Sequence, residues 1–412
     1  MKSSILTCAG LLGLTGALSA ASGLYYMGED AQESIPLKWS VGVNVIWDDN
    51  VNPVLLRGEP GYEEDATSIN PYVEVAFVNI TPQTTIDLYA RLGAQYYFDE
   101  PDGMDGDLFS DSRLGFNLTH RFNERVRLVS RNYIAYELEP DYSYGYANHR
   151  VSGEYVYWST DNALGVRWTE RLATYTGFNI RDINYDDEIR NQDRFIWTVY
   201  NDFRYVLSPQ TVATLSYRYS ETEGDGVSSD STNHYILAGV EHRFSPTMIG
   251  IVRAGAQLRE VDGPGGEDST SPYVEAMLRA QVNEQFSLRG FLRYGIEDWD
   301  TVQWMGPWLV EFDERTVLRI GLSGEYAVSD RLSLFGGVDY IMGDYDEGRL
   351  TDGTPFPGSY DEDIVNLYVG MSMRLNEWLY AQASYNYTDS SSDLQRRDYD
   401  RNRVSVGMRA EF

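Results

Sequence analysis

The sequence predicts an all-β protein: a closed, up-and-down antiparallel β-barrel of about 18 strands that crosses a bilayer. Three observations predict it. Apolar and polar residues alternate with period two along one segment after another. The connections between those segments alternate between three-residue turns and long acidic stretches, among them 99–111, 137–146, 297–314 and 344–363. No segment beyond residue 21 is apolar for the ~18 residues a transmembrane helix needs, and a membrane can otherwise be crossed only by strands that close on themselves.

Composition narrows the chemistry. The 412 residues hold 33 Lys+Arg against 63 Asp+Glu, a formal net charge of −30, with one Cys and four His. Such a charge repels phosphate, so no nucleic-acid partner is expected. A single Cys excludes a disulfide scaffold and a thiolate-held zinc or iron–sulfur site. No cofactor and no metal are expected. The acidic stretches offer oxygen ligands, but none has the spacing of an ordered calcium loop. Solvation, repulsion between neighbouring barrels, or sharing of cations with lipid phosphates is their expected role.

The first residues read as an address. Met1-Lys2 is positive, residues 5–18 are apolar and rich in Gly and Ala, and Ser19-Ala20-Ala21 supplies small residues for cleavage. Residues 1–21 are therefore expected to be a secretory signal peptide. Cys8 stands before most of the apolar run, which argues against a lipoprotein site, and cleavage would remove it. Residues 22–36 are expected to form a short periplasmic segment and 37–412 a single barrel.

The first strand is expected over 37–47, with Trp39, Val41, Val43, Val45 and Trp47 on one face. Ile86, Leu88, Ala90 and Leu92 alternate with Asp87, Tyr89, Arg91 and Gly93. Leu114, Phe116 and Leu118 alternate with Arg113, Gly115 and Asn117. The same pattern recurs through Val274, Ala276 and Leu278, through Leu318, Ile320 and Leu322, and through Val365, Leu367 and Val369. Tight turns are read at 81–83, 123–125, 169–171, 208–210, 245–247, 283–285, 329–331 and 376–378, from their Asn, Ser, Thr and Pro. Eight hairpins plus one strand at each end make eighteen, an even number that lets the first and last strands pair; sixteen is the alternative. Residues 159–162 compete with 169–171 as a turn, and 169–171 is preferred because it gives strands of equal length.

Aromatics mark both ends of the strands. Phe122, Trp168, Tyr205, Phe244, Phe286 and Trp378 flank the turns, and Tyr96, Phe98, Tyr136, Tyr219, Tyr294, Tyr340 and Tyr387 lie near the far ends, as two interfacial belts require. The chain stops on an alternating strand, with Val404, Val406, Met408, Ala410 and Phe412 on one face. This resembles the terminal strand by which outer-membrane proteins are recognised by the barrel-assembly machinery.

The whole pattern resembles bacterial outer-membrane β-barrels of the porin type. Within them it is similar to the porin-2-like family, on Asp48-Asp49-Asn50-Val51 after Gly42-Val43-Asn44-Val45-Ile46-Trp47 and on the S-P and N-E turns. The resemblance implies an outer-membrane channel of a Gram-negative bacterium and names no solute. It also implies that a loop such as that holding Tyr142-Ser143-Tyr144-Gly145-Tyr146 folds inward and narrows the passage. Porins are trimers or monomers, and the sequence does not choose.

If the apolar face meets lipid, the other face lines the lumen. That face collects Arg91, Arg113, Arg127, Arg131, Arg204, Arg253, Arg279, Arg289, Arg293, Arg319, Arg374 and Arg409, with Asp87, Asp202, Glu241, Glu275, Glu325 and Asp339. Each arginine would cost roughly 2–4 kcal/mol facing hydrocarbon at the midplane. Eighteen strands enclose more than side chains normally fill, so water is expected inside. Two readings stand side by side. Guanidinium groups favour small polar, and among them anionic, solutes; or the arginines pair with the acids and stiffen the wall. A non-conducting structural or export-associated barrel is the alternative function.

Catalysis has little to stand on. No G-x-S-x-G or H-E-x-x-H is present. His120 and His242 occupy equivalent places before turns, and His149 and His234 match each other, which reads as architecture. An outer-membrane hydrolase is the least favoured reading. The expected partners are outer-membrane lipid, the assembly machinery and small polar solutes.

Overall fold

A computed structural model describes residues 34–51, 64–102, 106–138, 154–185, 193–224, 228–263, 266, 268–298, 301–394 and 397–412. The expected signal peptide, the aromatic run at 142–146 and His149 lie outside these. The strands are β1 (Ile35–Asp48), β2 (Ala66–Ile80), β3 (Thr84–Tyr97), β4 (Leu108–Arg121), β5 (Val126–Glu137), β6 (Tyr155–Arg167), β7 (Leu172–Tyr185), β8 (Arg194–Ser208), β9 (Thr211–Gly224) and β10 (Ser231–Ser245). They continue as β11 (Met248–Val261), β12 (Ser269–Gln281), β13 (Phe286–Ile296), β14 (Val302–Met305), β15 (Trp308–Ser329), β16 (Leu332–Leu350), β17 (Pro355–Phe356), β18 (Tyr360–Arg374), β19 (Leu379–Ser392) and β20 (Tyr399–Glu411).

All twenty belong to one sheet. Two of them, β14 and β17, only flank the long ends of β15 and β16. The other eighteen form the wall, each antiparallel to the next, with β13 pairing β15 and β16 pairing β18. β1 pairs β20 from Ser40↔Glu411 to Asp48↔Arg403, so the barrel closes without an edge. The count is the expected eighteen.

Every expected tight turn joins two wall strands, including 169–171; residues 159–162 run through the middle of β6. One piece of chemistry repeats in them. The side-chain oxygen of the first turn residue accepts backbone N–H groups two or three positions on. Asn123 Oδ1 accepts from Arg125 and Val126 at 2.8 and 2.9 Å, Asn283 Oδ1 from Gln285 and Phe286 at 2.9 and 2.9 Å, and Asn376 Oδ1 from Trp378 and Leu379 at 2.9 and 2.8 Å. Thr169 and Ser329 do the same through their hydroxyls. This is the Asx or Ser/Thr turn, which supplies a backbone-like acceptor where the strand must reverse.

The long connections hold more order than their acidity suggests. β1 starts at Ile35 rather than 37. β15 and β16 run for 22 and 19 residues and take in parts of the acidic stretches 297–314 and 344–363. Gly306, at φ 64°, turns β14 back into β15. Val310, Phe312, Tyr345 and Leu394 form a buried cluster there. The alternation Trp308, Val310, Phe312 was hidden among Glu311, Asp313 and Glu314.

Parity holds around the wall. Val41, Val43, Val45, Leu92, Leu114, Phe116, Leu322, Leu367, Val369, Val406 and Met408 are exposed, and their neighbours in sequence are not. Inward tyrosines lie over glycines of the adjacent strand. A Cβ at Gly42 would sit 2.3 Å from the Tyr72 ring, and one at Gly177 would sit 2.6 Å from Tyr200. Glycine at these positions is a space requirement, not a turn.

Candidate functional site

The inner face is an ionic layer. Arg91 donates to Asp111 at 2.7 Å, to Glu74 at 3.0 Å and to Asn70 at 2.7 Å, and lies over the Tyr72 ring. Arg113 pairs with Glu137 and lies 3.8 Å from Asp111. Arg131 is opposite Asp161 across β5–β6. Arg204 meets Glu241 at 2.5 Å. Glu275, fully buried, accepts from Arg218 at 2.8 Å and Arg253 at 2.9 Å, and Asp202 lies 3.7 Å from Arg253. Asp87 accepts weakly from Asn117 at 3.5 Å. Arg279 stands opposite Arg289 in register, Glu325 opposite Ser287, and Asp339 opposite Gly321 and Asn366. Arg374 is half-buried at the end of β18.

This wall carries more acid than alternation alone suggested. Glu74 and Asp161 are inward and buried, and Asp111, Glu137, Glu297 and Glu362, which read as loop acids, reach inward partners. Period two locates a residue on a face only inside a strand whose ends are known.

The chain beyond β13 folds over the inner face at the loop end. Ile296 exchanges two hydrogen bonds with Gln257 of β11, at 2.9 and 3.0 Å. Glu297 then accepts from Arg319 at 2.7 Å, from Arg315 at 3.2 Å, and from Arg293. Burial pushes the Glu297 carboxyl up, but Arg319, Arg293 and Arg315 outweigh it and hold it well below the usual carboxylate range. Asp298 reaches farther. It pairs with Arg259 at 3.1 Å and accepts from Ser231 at 2.8 Å, Thr222 at 3.2 Å and Asn233 at 3.2 Å, while its backbone carbonyl accepts from Arg194 at 3.2 Å. These partners sit at the loop ends of β8 to β11. The segment therefore crosses several strands. The inward loop expected from the resemblance, 142–146, lies outside the described residues; the inward residues found after β13 are Glu297 and Asp298.

At the turn end, the inner faces of β4 to β9 surround a cavity of about 640 Å³. Arg121, Arg125, Arg127, Arg167, Arg171 and Arg204 line it, against Glu124 and Glu170. Alternation did not single it out, because several of these arginines belong to turns.

His120 and His242 are structural in their contacts. His120 Nδ1 lies 2.8 Å from Thr84 Oγ1 and its ring 4.7 Å from Phe122; His242 Nδ1 lies 2.9 Å from Thr211 Oγ1 and its ring 4.6 Å from Phe244. The two are copies of one hairpin device.

The family-like element Asp48-Asp49-Asn50-Val51 lies on the seam. Asp48 accepts from Arg401 at 2.5 Å and Arg403 at 3.0 Å, Asp49 accepts from the backbone and side chain of Asn402 at 2.6 and 2.7 Å, and Asn50 donates to the Asp400 carbonyl at 2.9 Å. At the turn end, Phe412 stacks 4.9 Å from Trp39 and Lys38 meets Glu411 at 2.7 Å. Val404, Val406, Met408, Ala410 and Phe412 all point away from the ionic layer, on the strand that closes the wall.

A closed, even-stranded barrel with an aliphatic outside, aromatic rims and an ionic inside has the build of an outer-membrane porin. The sequence matches the family described as putative beta-barrel porin 2 over residues 157–412, and the chain belongs to that family. It is an outer-membrane protein of a Gram-negative bacterium. No curated protein matches the sequence. Similar solved structures include Acinetobacter baumannii OccAB4, at 12% identity and TM-score 0.46, over 92% of this chain and 99% of that one. Pseudomonas aeruginosa OpdK with vanillate is 11% identical, TM-score 0.46, over 91% and 99%. Pseudomonas aeruginosa OccK2 (OpdF) in complex with glucuronate is 11% identical, TM-score 0.46, over 91% and 98%. Vanillate and glucuronate belong to those proteins and carry nothing over to this chain.

Proposed function

We propose that the protein is a passive outer-membrane channel for small polar solutes that prefers anions, and that the preference is set at the turn end. The observation that carries this is the charge of the cavity there: six arginines against two glutamates, with one of the six, Arg204, engaged by Glu241. Higher on the wall, Arg91, Arg253 and Arg319 are bound to carboxylates, so they stiffen it and leave little net charge for a solute. Guanidinium groups facing water attract carboxylate and phosphate. The residues proposed to line the passage are the wall arginines and acids named above. Assembly-machinery recognition of the terminal strand and cleavage near Ala21 belong to the same reading.

The test is the reversal potential of purified protein in a planar bilayer under a salt gradient. Anion preference is expected, and Arg125→Glu with Arg171→Glu should reduce or invert it. Cation preference in the unsubstituted protein refutes the anion reading. Absence of any conductance favours the structural barrel instead. Uptake of a sugar, an amino acid and a carboxylate into liposomes sorts the solutes.

A further inference from the structure

The outward face of the wall is apolar at mid-height on every strand outside one sector. Val43, Val73, Leu215, Val252, Leu322 and Val369 represent the rule, each exposed. The exception spans β5 to β8. Ser130 and Asn132 on β5, Thr160 and Asn162 on β6, Thr176 on β7 and Asn201 on β8 share the parity of Ile134, Leu164, Phe178 and Val199, which are 43%, 44%, 44% and 45% exposed. The register gathers the six into one patch. Asn132 is opposite Thr160, Ser130 opposite Asn162, and Thr176 opposite Asn201.

The patch bonds within itself. Thr160 Oγ1 donates to Asn132 Oδ1 at 2.7 Å, Asn162 Nδ2 to Thr160 Oγ1 at 2.7 Å, Asn132 Nδ2 to Ser130 Oγ at 3.1 Å, and Asn201 Nδ2 to Thr176 Oγ1 at 2.5 Å. That leaves capacity over. An amide has two donor hydrogens and an oxygen that takes two. A polar group facing hydrocarbon without a partner is unfavourable by several kcal/mol. Six polar side chains on a lipid-facing surface, with donors and acceptors beyond those bonds, call for something other than lipid.

We infer that this face is where copies of the chain meet in the membrane. The chemistry selects a copy over other occupants. Amides and hydroxyls both donate and accept, so the patch is complementary to itself, as a symmetric contact requires. It carries no charge, so two copies of a chain with net charge −30 do not repel one another there. Polar side chains bonding across an interface, with apolar neighbours packed around them, are the glue of associations within membranes. Leu164, Phe178 and Val199 supply that apolar surround. The inference needs only a closed barrel and is independent of whether the barrel conducts.

The test is cross-linking in native membranes on a Cys8→Ser background. Asn162→Cys and Thr176→Cys should give a covalent dimer under mild oxidation, while Val369→Cys and Val43→Cys should not. In detergent, the unsubstituted protein should sediment as an oligomer. The combined variant Asn132→Leu, Thr160→Val, Asn162→Leu and Asn201→Leu should sediment as a monomer and keep the heat-modifiable gel mobility of a folded barrel. If that variant does not fold, the cysteine pairs decide alone. Equal cross-linking at all four positions, adducts with a different protein, no dimer at the patch, or acyl-chain contact from a spin label at position 162 would each overturn the inference.

Discussion

Asp48 accepts hydrogen bonds from Arg401 and Arg403, and the three side chains sit where the first and last wall strands meet. Elsewhere a neighbouring strand is held through a turn or loop as well as a ladder; here the ladder is supplemented by side chains alone, this clasp and the contacts of Asp49, Asn50, Lys38 and Trp39. Asp48 is buried, so removing its carboxylate takes from two guanidiniums the acid they share. Breaking a buried pair costs about 3–5 kcal/mol, and the low end applies because Arg403 is a third exposed. Asp48→Ala is therefore expected to lower the unfolding midpoint in urea by the equivalent of about 3 kcal/mol, and Asp49→Ala by less. An unchanged midpoint for Asp48→Ala would remove the clasp from the account. Gly177→Val is a second case. Its Cβ would stand 2.6 Å from both the Tyr200 ring and the Asn162 carbonyl, so loss of the folded gel mobility is expected, whereas Gly115→Ala meets only Tyr133 at 3.9 Å and should be tolerated. The Asp-Asp-Asn-Val run was visible in the sequence, but its purpose was not, because Arg401 lies 353 positions away.

The strands and turns were legible element by element, since period two and the Asn, Ser and Thr turn residues act locally. The segment after β13 was not. Its acids Glu297 and Asp298 look like any solvated loop until the arginines of β11, β13 and β15 are brought beside them by the fold. Its chemistry gives a sign. Glu297 is held below its unfolded pKa of about 4.3, so the clamp contributes fully above that value and is lost only as pH falls through the lower folded value. Channel conductance governed by this clamp is expected to stay level between about pH 5 and 8. A step within that window would mean that another group controls the segment. Glu297→Gln removes the charge from between three guanidiniums. It is expected to raise single-channel conductance and lower thermal stability together, and an unchanged conductance would show that the segment does not narrow the passage.

At the scale of the molecule, parity was the legible quantity and its exceptions were not. Alternation separated the lipid face from the ionic face for nearly the whole wall. It passed over Ser130, Asn132, Thr160, Asn162, Thr176 and Asn201 because each stands in a different place in its own strand, and only the register makes them one surface. The same holds for charge. The total of −30 is an average over two unlike ends: acids crowd the long connections, and arginines crowd the cavity at the tight turns. An open pore with an acidic mouth and a basic mouth does not pass current equally in both directions. Ions of one sign accumulate at one end under one polarity and are depleted under the other. Salt weakens this, because the screening length falls from about 30 Å at 0.01 M to about 3 Å at 1 M. Current–voltage curves of oriented single channels are therefore expected to rectify in dilute salt and to straighten at molar salt. Arg125→Glu with Arg171→Glu should weaken the rectification by making the two mouths more alike. Curves that are symmetric in dilute salt would show that the charges at the two ends do not face the path of the ions.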